Sequence, residues 1–357
     1  MEITEIAVPT DGLPTPDITD LAHLCRLDLV HFFGHDDLVD SAATMAHQLA
    51  NQVDVQRFWL IARDGDGHPL GAALATLPLR DNTTIAEWSV VCDPTVDIAS
   101  VTTALWEASI PRLTAAGRTS VQCWQMHRDG GDAAGMGADT ITPATGAGVI
   151  GRDAASDVAQ ALGFTLEQVY RHSVLTIDQH RHRWPALAAE IAAHHRDYEI
   201  ISWHGSTPDE LCDSLALLRN RMSVDAPSAD LDHTEQVWDA DRVRRRDATA
   251  LAQGRGQIYA AARRPDTGAL VAYTELDLPT EHPQAAWQDD TLVHGDHRGR
   301  RLGWAVKLEA LDQLTRVADQ VRRIHTWNAD ENSWMLAINT ALGFSLASAE
   351  GVWQRRL

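Results

Sequence analysis

Short stretches of alternating apolar and polar residues predict β-strands, and these stretches recur in the two halves of the chain. Residues 70–79 (LGAALATLPL) and 270–279 (LVAYTELDLP) alternate as half-buried strands do. Each follows a turn rich in Asp and Gly, at residues 64–67 and 266–268, and therefore resembles the second arm of a hairpin. The halves share this plan although few of their residues are identical.

The elements that follow also come in matching order. In each half we predict a strand, a helix, a second strand and a copy of the tetrapeptide ALGF. These are residues 86–93, 98–116, 120–124 and 161–164 in the first half, and 286–293, 302–320, 323–327 and 341–344 in the second. Repetition at a fixed order is the mark of a duplicated unit. We predict a tandem duplication, with one domain at 1–180, a connecting segment at 181–197 and a second domain at 198–357.

Two segments depart from this common plan. Residues 129–151 are rich in Gly and Ala, so we expect a flexible surface insertion in the first copy. In the second copy, residues 198–203 predict the first strand, and helical patterns follow at 208–222 and 235–253. The polar loop between these helices, residues 223–233, is a candidate lid on the acceptor side.

Composition narrows the class of protein. The formal net charge of −20 disfavours binding to nucleic acid or to anionic membranes, and it would attract cationic amines. No apolar run is long enough to cross a bilayer, and the N-terminus has no signal-peptide pattern. The four cysteines form no CxxC pair, which favours a reducing cytoplasm. None of the 17 histidines has metal-ligand spacing, so we expect no metal site.

The segment 297–303 (HRGRRLG) is the first candidate for chemistry. It stands between a predicted strand and a predicted helix, where unpaired N–H groups and the positive end of the helix dipole attract anions. Gly299 and Gly303 allow a close approach of the backbone to a ligand. Arg298, Arg300 and Arg301 add charge suited to phosphate. The alternative is an ordinary basic start of a helix.

This region resembles a known family. Residues 290–307 (DTLVHGDHRGRRLGWAVK) resemble motif A of the GCN5-related N-acetyltransferases (GNATs), whose loop R/Q-x-x-G-x-G/A falls on Arg298, Arg301 and Gly303, with Arg301 in place of the middle glycine. Residues 328–344 (NADENSWMLAINTALGF) resemble motif B of the same family. The resemblance implies an α/β (α+β) fold of two tandem GNAT domains. Each domain would have a mixed, mostly antiparallel central sheet flanked by helices.

The resemblance also implies a site for acetyl-coenzyme A in the second copy. The backbone of Leu292 and Val293 would pair with the pantetheine arm, and Asn328 and Asn332 would line the coenzyme side. For Asn332 the alternative is a helix N-cap. The N–H groups of the loop would hold the pyrophosphate; these belong to Arg298, Gly299, Arg300, Arg301, Leu302 and Gly303.

Catalysis in the family is direct transfer to an amine that a carboxylate deprotonates. Strand alternation puts Glu275 and Asp277 on one face and separates Asp289 from Asp290. We predict Glu275 and Asp290 as candidate bases. Asn339 stands where family members often have a tyrosine that protonates the leaving thiolate, so water, His325 or Tyr273 would supply that proton.

The first copy lacks the anion-binding loop. Residues 90–101 (VVCDPTVDIASV) contain no glycine or arginine, and Asp93 and Asp97 bring negative charge to that place. We therefore expect the first copy to keep the fold without binding the coenzyme in the usual way. It would complete the acceptor pocket and stand in for the second subunit of a family dimer, which gives a monomer built as a pseudo-dimer, or a weak homodimer.

Together these features predict a cytoplasmic acetyl-coenzyme A-dependent N-acetyltransferase. Its acceptor would be a primary amine of a small molecule or peptide, and its catalytic copy the second one. Two alternatives stay open. One is an enzyme that resembles mycothiol synthase and acetylates a cysteinyl amine. The other is a catalytically silent acyl-coenzyme A sensor or scaffold, which the replacements at Arg301 and Asn339 would favour.

Overall fold

The computed structural model of the protein describes residues 1–128, 130–131 and 139–357. Within these ranges the chain forms two compact units. Unit 1 contains residues 1–170, 228–234 and 348–357, and unit 2 contains residues 171–227 and 235–347. The units differ from the sequence ranges 1–180 and 198–357 in short segments. Residues 228–234 and 348–357 lie in the second range but belong to unit 1, and residues 171–180 lie in the first range but belong to unit 2.

Unit 1 contains a mixed β-sheet flanked by helices. Its strands are antiparallel except for one parallel pair. Its sheet runs in the order β1-β2-β3-β4-β5, and β4 and β5 are the parallel pair. Residues 349–356 of the last strand of the chain, β15, add to the edge of β5 in antiparallel register. The elements of this first half are β1 (Glu2–Glu5), α1 (Pro16–Phe33), α2 (Ala42–Ala50), β2 (Val55–Arg63), β3 (Pro69–Pro78), β4 (Ile85–Cys92), α3 (Ile98–Ala115), β5 (Ser120–His127), β6 (Gly130–Gly131), β7 (Thr140–Ile141), β8 (Val149–Gly151), α4 (Ala154–Ala161) and β9 (Thr165–Thr176).

Unit 2 repeats this arrangement. Its sheet runs in the order β10-β11-β12-β13-β14, with β13 and β14 as the parallel pair. The elements are α5 (Ile177–His180), α6 (Trp184–Ile191), β10 (Glu199–His204), α7 (Asp209–Asp225), α8 (Ala240–Ala252), β11 (Arg255–Arg263), β12 (Leu270–Pro279), β13 (Ala285–Val293), α9 (Leu302–Val317), β14 (Arg323–Ala329), α10 (Ser333–Leu342) and β15 (Ser345–Arg356). The predicted architecture, two α/β domains that each have a mixed, mostly antiparallel sheet flanked by helices, is confirmed.

Alternation along the central strands gives each sheet two buried faces. In β11, Ile258 and Ala260 pack in one hydrophobic core with α9, while Tyr259 and Ala261 pack in another with α7 and α8. In β2 of unit 1, Leu60 shares a core with α3, and Trp59 shares one with α1 and α2. Because helices cover both faces, these strands contain few exposed positions, which agrees with their apolar sequences.

The described part of the predicted insertion, residues 130–131 and 139–151, contains regular structure. Strands β6, β7 and β8 form a small antiparallel sheet, and Ile141 and Ile150 belong to the core of unit 1. These apolar residues supply packing within the described part of the segment. The expectation of a flexible surface insertion is therefore wrong for residues 130–131 and 139–151, and positions 129 and 132–138 of that prediction lie outside the described residues.

The predicted lid over residues 223–233 divides between the two units. Residues 228–234 are part of unit 1, where Asp232 accepts a hydrogen bond from Gln122 Nε2 (2.7 Å) and forms an ion pair with Arg356 (3.0 Å). The Oγ1 of Thr234 also donates to Asn82 Oδ1 (3.0 Å). This half of the loop is anchored by side chains of unit 1.

Candidate functional site

The candidate site of unit 2 lies where its two parallel strands separate. Strands β13 and β14 pair from Ala285 with Arg323 to Gln288 with Thr326, and their pairing ends there. Among the described residues, strand pairing of β13 beyond this point is with β12 alone, where Tyr273 pairs with Leu292 and Ala272 with Val293. The inner edge of β13 carries no strand there, although Arg298 Nε donates to the Val293 carbonyl oxygen (3.2 Å), so an extended ligand could pair with it as an added strand does.

A β-bulge stands at the mouth of this gap. The register between β12 and β13 shifts between Thr274 and Leu276, so that Glu275 faces two residues of β13, Asp289 and Asp290. A bulge redirects the side chains of the extra residue. The prediction that alternation separates Asp289 from Asp290 is therefore wrong, because both carboxylates contact the charged cluster around Glu275. Glu275 and Asp277 do share a face, as predicted.

The loop between β13 and α9 has the backbone of an anion site. Gly299 has a φ of 79°, and a Cβ at this position would meet nothing within 4 Å. Arg301 has a φ of 56° and a ψ of 21°, the left-handed conformation that glycine adopts most readily. In the part of the chain that the structure describes, the N-cap residue Arg301 makes no side-chain capping hydrogen bond, which leaves the first N–H groups of α9 available to a ligand. Arg301 thus keeps the backbone shape of the glycine that it replaces in the family pattern.

The arginines of the loop have different surroundings. Arg298 donates from Nε to the carbonyl oxygen of Val293 (3.2 Å) and forms an ion pair with Asp225 (2.9 Å). Arg300 lies 5.6 Å from the ring centroid of Tyr198. Leu302 points into the core, and only its backbone faces the loop. Gly303 comes close to its neighbours, since an added Cβ would lie 3.3 Å from Ile338 Cδ1.

Glu275 is the centre of a buried ion-pair network. It is completely buried, with Arg219 at 2.5 Å from one carboxylate oxygen and Arg246 in contact with the other. Burial opposes ionisation, but the two guanidinium groups outweigh it and hold the pKa of Glu275 below its ordinary value. Gln257 donates a further hydrogen bond of 2.9 Å. Both oxygens of Glu275 are therefore already engaged.

The two aspartates of the bulge differ in environment. Asp290 accepts a hydrogen bond from the hydroxyl of Tyr273 (2.8 Å) and an ion pair from Arg219 (3.2 Å). The side chain of Asp289 is 45% exposed and has Arg246 at 3.4 Å. Loss of hydration, together with the negative charges of Glu275 and Asp277, raises the pKa of Asp289 well above its ordinary value. Asp289 thus combines access with a strong affinity for a proton.

The acidic cluster is engaged by guanidinium groups. The oxygens of Glu275, Asp277 and Asp289 lie within 4.8 Å of one another, a separation at which carboxylates could share a cation. Arg246 contacts Glu275 and Asp289, and Arg255 lies 3.5 Å from Asp277. The charges that compensate these carboxylates therefore come from the protein itself.

Three asparagines lie at the other side of the gap. Asn339 donates from Nδ2 to the Oδ1 of Asn328 (2.6 Å), while its own Oδ1 is buried without a hydrogen-bond partner. Asn332 caps α10, since its side chain accepts a hydrogen bond from Met335 N (3.3 Å). The N-cap alternative for Asn332 is thus what the structure contains. Of the suggested proton donors, His325 is completely buried beside His172, and Tyr273 is bound to Asp290.

Unit 1 differs at the corresponding place. Its parallel strands β4 and β5 also part, after Glu87 and Gln122, but the register between β3 and β4 runs without a bulge. The side chain of Asp97 caps α3 by accepting a hydrogen bond from Ser100 N (3.4 Å). Asp93 lies in the turn before it. A carboxylate therefore occupies the helix end that is uncapped in unit 2.

The structure joins the predicted site residues around one gap and adds others to them. Arg219, Arg246 and Tyr273 were not singled out as parts of the candidate base site, although Arg219 is 5% exposed and contacts both Glu275 and Asp290. Arg219 and Arg246 lie on helices α7 and α8, whose sequences match no known motif. The signal available in sequence was an arginine within an apolar helix stretch, LALLRNRM, at residues 215–222.

Comparison with solved structures identifies the fold. A tandem GNAT protein from the clavulanic acid biosynthesis pathway, solved without acetyl-coenzyme A, superposes with a TM-score of 0.76 at 23% identity, over 99% of this chain and 98% of that one. A GCN5-related N-acetyltransferase from Sphaerobacter thermophilus gives a TM-score of 0.61 at 14% identity, over 99% and 95%. A glucosamine N-acetyltransferase region of a fungal β-N-acetylglucosaminidase gives 0.62 at 14%, over 99% of this chain and 38% of that one.

These likenesses establish that the chain has the tandem GNAT fold. No family model and no curated protein matches the sequence. Within the described residues, every helix is too short or too polar to cross a membrane.

Proposed function

We propose that this protein, which has the tandem GNAT fold, is an N-acetyltransferase that moves an acetyl group from acetyl-coenzyme A to a primary amine of a small molecule or peptide. Unit 2 performs the transfer. The observation that carries the proposal is the uncapped N-terminus of α9, with Arg301 in a left-handed conformation, directly beside the gap between β13 and β14. Unit 1 has the gap but not the loop.

The acetyl donor binds across this gap in the proposal. The backbone of Leu292 and Val293 receives the pantetheine arm on the edge of β13 that faces the gap, where Arg298 Nε now donates to the Val293 carbonyl oxygen. The N–H groups of the loop from Arg298 to Gly303 receive the pyrophosphate, which gains from the dipole of α9 and from the charge of Arg300. Asn328 offers an amide at the opposite wall, next to Asn339. Asn332 contributes through the position of α10, because its side chain serves as the cap.

Asp289 takes the proton of the attacking amine. A general base works best when its pKa lies near the working pH, and Asp289 is the partly exposed carboxylate whose pKa is raised. The amine nitrogen then attacks the thioester carbonyl, and the thiolate of coenzyme A leaves. Asp290, a predicted base, lies beside Asp289 and holds the hydroxyl of Tyr273. Glu275, the other predicted base, fixes Arg219 and Arg246 beneath them.

The test is release of free thiol from acetyl-coenzyme A in the presence of a panel of amines. The panel includes aliphatic and aromatic amines, a peptide N-terminus and a cysteinyl amine, so that a mycothiol synthase-like preference would be seen directly. Turnover with at least one amine, above the rate without acceptor, supports the proposal. A protein that binds acetyl-coenzyme A but turns over none of these amines is instead the acyl-coenzyme A sensor, the alternative that the Asn339 replacement favours.

Calorimetric titration with acetyl-coenzyme A assigns the site to one unit. We expect one equivalent to bind, with affinity reduced by Gly303→Leu, which would crowd Ile338 and Val293. The matched control is Gly65→Ala in a turn of unit 1, where an added Cβ meets nothing within 4 Å. Two equivalents of similar affinity would contradict the assignment of binding to unit 2 alone.

A further inference from the structure

Unit 1 encloses a cavity of its own between the separating strands β4 and β5. The cavity has a volume of about 540 Å³, which is in the size range of small-molecule sites. Its walls are mainly apolar and come from β4, β5, α1, α3, α4 and the turn after α4; they include Trp88, Val90, Cys123, Met126, Val158 and Phe164. Most of these side chains are buried, while exposed residues such as Arg128 and Arg152 stand at its rim, so the cavity reaches from the surface into the core of unit 1.

The turn before α3, which contributes Pro94 to the lining of this cavity, is unsuited to a nucleotide. Asp93 accepts hydrogen bonds from the N–H and the hydroxyl of Thr95 (2.8 and 2.6 Å), and these bonds hold its pKa below the ordinary value. Asp97 already caps α3, and Pro94 has no N–H to offer. A phosphate group placed here would meet two carboxylates and no free helix end.

Two carboxylates near the cavity form no ion pair among the described residues. Asp28, which lines the cavity from α1, has no hydrogen bond or ion pair there, and it interacts electrostatically with His31, another lining residue. Burial raises the pKa of Asp28 to about 6. Glu350 pairs in register with Met126 of the cavity wall, and its charge also acts on the Cys123 thiol. Burial raises the pKa of Glu350 to about 7. A partly buried carboxylate of this kind gains most from a cation brought to it.

Several other charges at the cavity have partners within the protein. Arg152 forms ion pairs with Asp139 (3.2 Å) and Asp157 (2.6 Å), and Asp153 is bound to His127 (2.8 Å). Arg128 stacks over the ring of Phe32 at 5.1 Å and donates to the carbonyl oxygen of His31. Among the described residues that line the cavity, Asp28 is thus a carboxylate that an added cation could meet without displacing an ion pair.

We infer that unit 1 binds an organic amine, with its ammonium group against the carboxylate of Asp28 and an apolar body among the walls of the cavity. This site lies within unit 1 and is separate from the transfer site proposed in unit 2. It therefore goes beyond the proposed function and does not depend on it. Asp93 and Asp97, which adjoin the lining residues Pro94 and Ile98 in sequence, add negative charge near the cavity that would favour such a cation, and the apolar walls would favour an aromatic or branched body over a short polar one.

The test compares tryptamine with tryptophol, which replaces the ammonium group by a hydroxyl. Binding to the full-length chain is followed by ligand-observed NMR, without acetyl-coenzyme A. The Asp289→Asn/Asp290→Asn background removes the acidic bulge of unit 2, so that binding there does not contribute. We expect tryptamine to bind at least roughly tenfold more tightly than tryptophol, and Asp28→Asn to remove this difference. Equal binding of the two compounds would overturn the inference.

Two further variants make the result specific to the cavity. Asp66→Asn changes the same charge in an exposed turn of unit 1 and should leave tryptamine binding unchanged. Ala159→Phe reduces the cavity volume and should weaken the binding of both compounds. Glu350→Gln leaves the volume intact and should weaken the binding of tryptamine alone. If tryptamine binds to Asp28→Asn and to Glu350→Gln as tightly as it binds to the protein without these changes, the site is not an amine site. The same conclusion follows if acetyl-coenzyme A displaces tryptamine from unit 1.

Discussion

Opposite charges are buried together at the bulge of β13, and their arrangement decides which carboxylate can move a proton. Glu275 is ionised because Arg219 and Arg246 are fixed against it. Its fixed charge in turn makes ionisation of Asp289 harder. A buried charge without a partner lowers the stability of the folded protein, so removal of the buried Glu275 should affect stability. Removal of the partly exposed Asp289 should affect mainly catalysis.

Asp289→Asn should reduce kcat by roughly 10²- to 10³-fold with little change in melting temperature, because the proton acceptor is lost and the ion-pair network stays. In the unchanged protein, activity should rise with pH as Asp289 loses its proton, at a pH well above that of an ordinary aspartate. Residual activity of the variant should lack this rise. The measurements are kcat against pH and thermal unfolding.

Comparison with three other carboxylate variants locates the base. Glu275→Gln should lower the melting temperature, since it leaves Arg219 and Arg246 buried without a charge partner. Glu281→Gln, at an exposed position, should change neither property. If Asp290→Asn abolishes the pH dependence and Asp289→Asn keeps it, the base is Asp290, as the sequence predicted.

Lys307 is a residue whose cost to stability should be measurable. It is the only lysine of the chain, it is 1% exposed, and burial lowers its pKa from 10.5 to about 7. Between pH 7 and 10.5 the unfolded chain therefore holds a proton here that the folded chain has lost. The free energy of unfolding therefore decreases as the pH is lowered from 10.5 to 7. Below pH 7 the contribution of this residue no longer changes with pH.

Lys307→Met should consequently raise the free energy of unfolding at pH 7 by about 2–4 kcal/mol, with the gain diminishing as the pH approaches 10.5. Chemical denaturation at several pH values tests this. Because the lysine is unique, a lysine-selective ¹³C label gives one signal whose titration reports its pKa directly. A pKa near 10.5, or a gain independent of pH, would contradict the prediction.

At the scale of elements, the two copies differ most at one helix end. Helices α3 and α9 follow equivalent strands, yet α3 begins with the capping side chain of Asp97, whereas α9 begins with Arg301 in a left-handed conformation and no side-chain cap. Capping stabilises a helix, and an uncapped end is available to bind an anion. Unit 1 has the more stable helix start, and unit 2 has the one suited to a ligand.

The backbone of Arg301 should matter more for donor binding than its charge. Arg301→Gly keeps the left-handed conformation and should change the Kd for acetyl-coenzyme A by less than roughly tenfold. Arg301→Val disfavours a positive φ and should weaken binding by more than roughly tenfold, with a loss of stability of about 1–2 kcal/mol. Calorimetry and thermal unfolding measure both effects. Equal losses in the two variants would instead assign the contribution to the guanidinium group.

Elements with local signals could be predicted from the sequence, and contacts between distant elements could not. The hairpins, the loop at 297–303 and the helix after it follow from turn residues and periodicity. The bulge at Asp289 and Asp290 could not be predicted, because a register shift depends on pairing with β12 and leaves no local pattern. Arg219 was missed for a related reason, since its partners Glu275 and Asp290 lie far along the chain.

At the scale of the whole molecule, neither unit is built from one continuous stretch of the chain. Residues 348–357 end the second copy in sequence but belong to unit 1, where β15 pairs with β5 from Ala349 with His127 to Arg356 with Ser120. Gln354 fastens this strand. Its Oε1 accepts hydrogen bonds from Ser120 Oγ (3.2 Å), Gln122 Nε2 (3.1 Å) and Asp232 N (2.7 Å), and its Nε2 donates to Asp230 O (3.1 Å).

Truncation after Ala347 should therefore unfold the unit built mainly from the other end of the chain. It removes the partner of β5, and hydrogen exchange should show lost protection of residues 120–127. Gln354→Ala is the milder change, and we expect a loss of roughly 2–3 kcal/mol because several buried groups lose their partner. Gln313→Ala, at a half-buried position of α9 in unit 2, is the control and should leave the exchange of residues 120–127 unchanged. If truncation leaves β5 protected, unit 1 is complete without the last strand, and a fragment of residues 1–180 should then fold by itself.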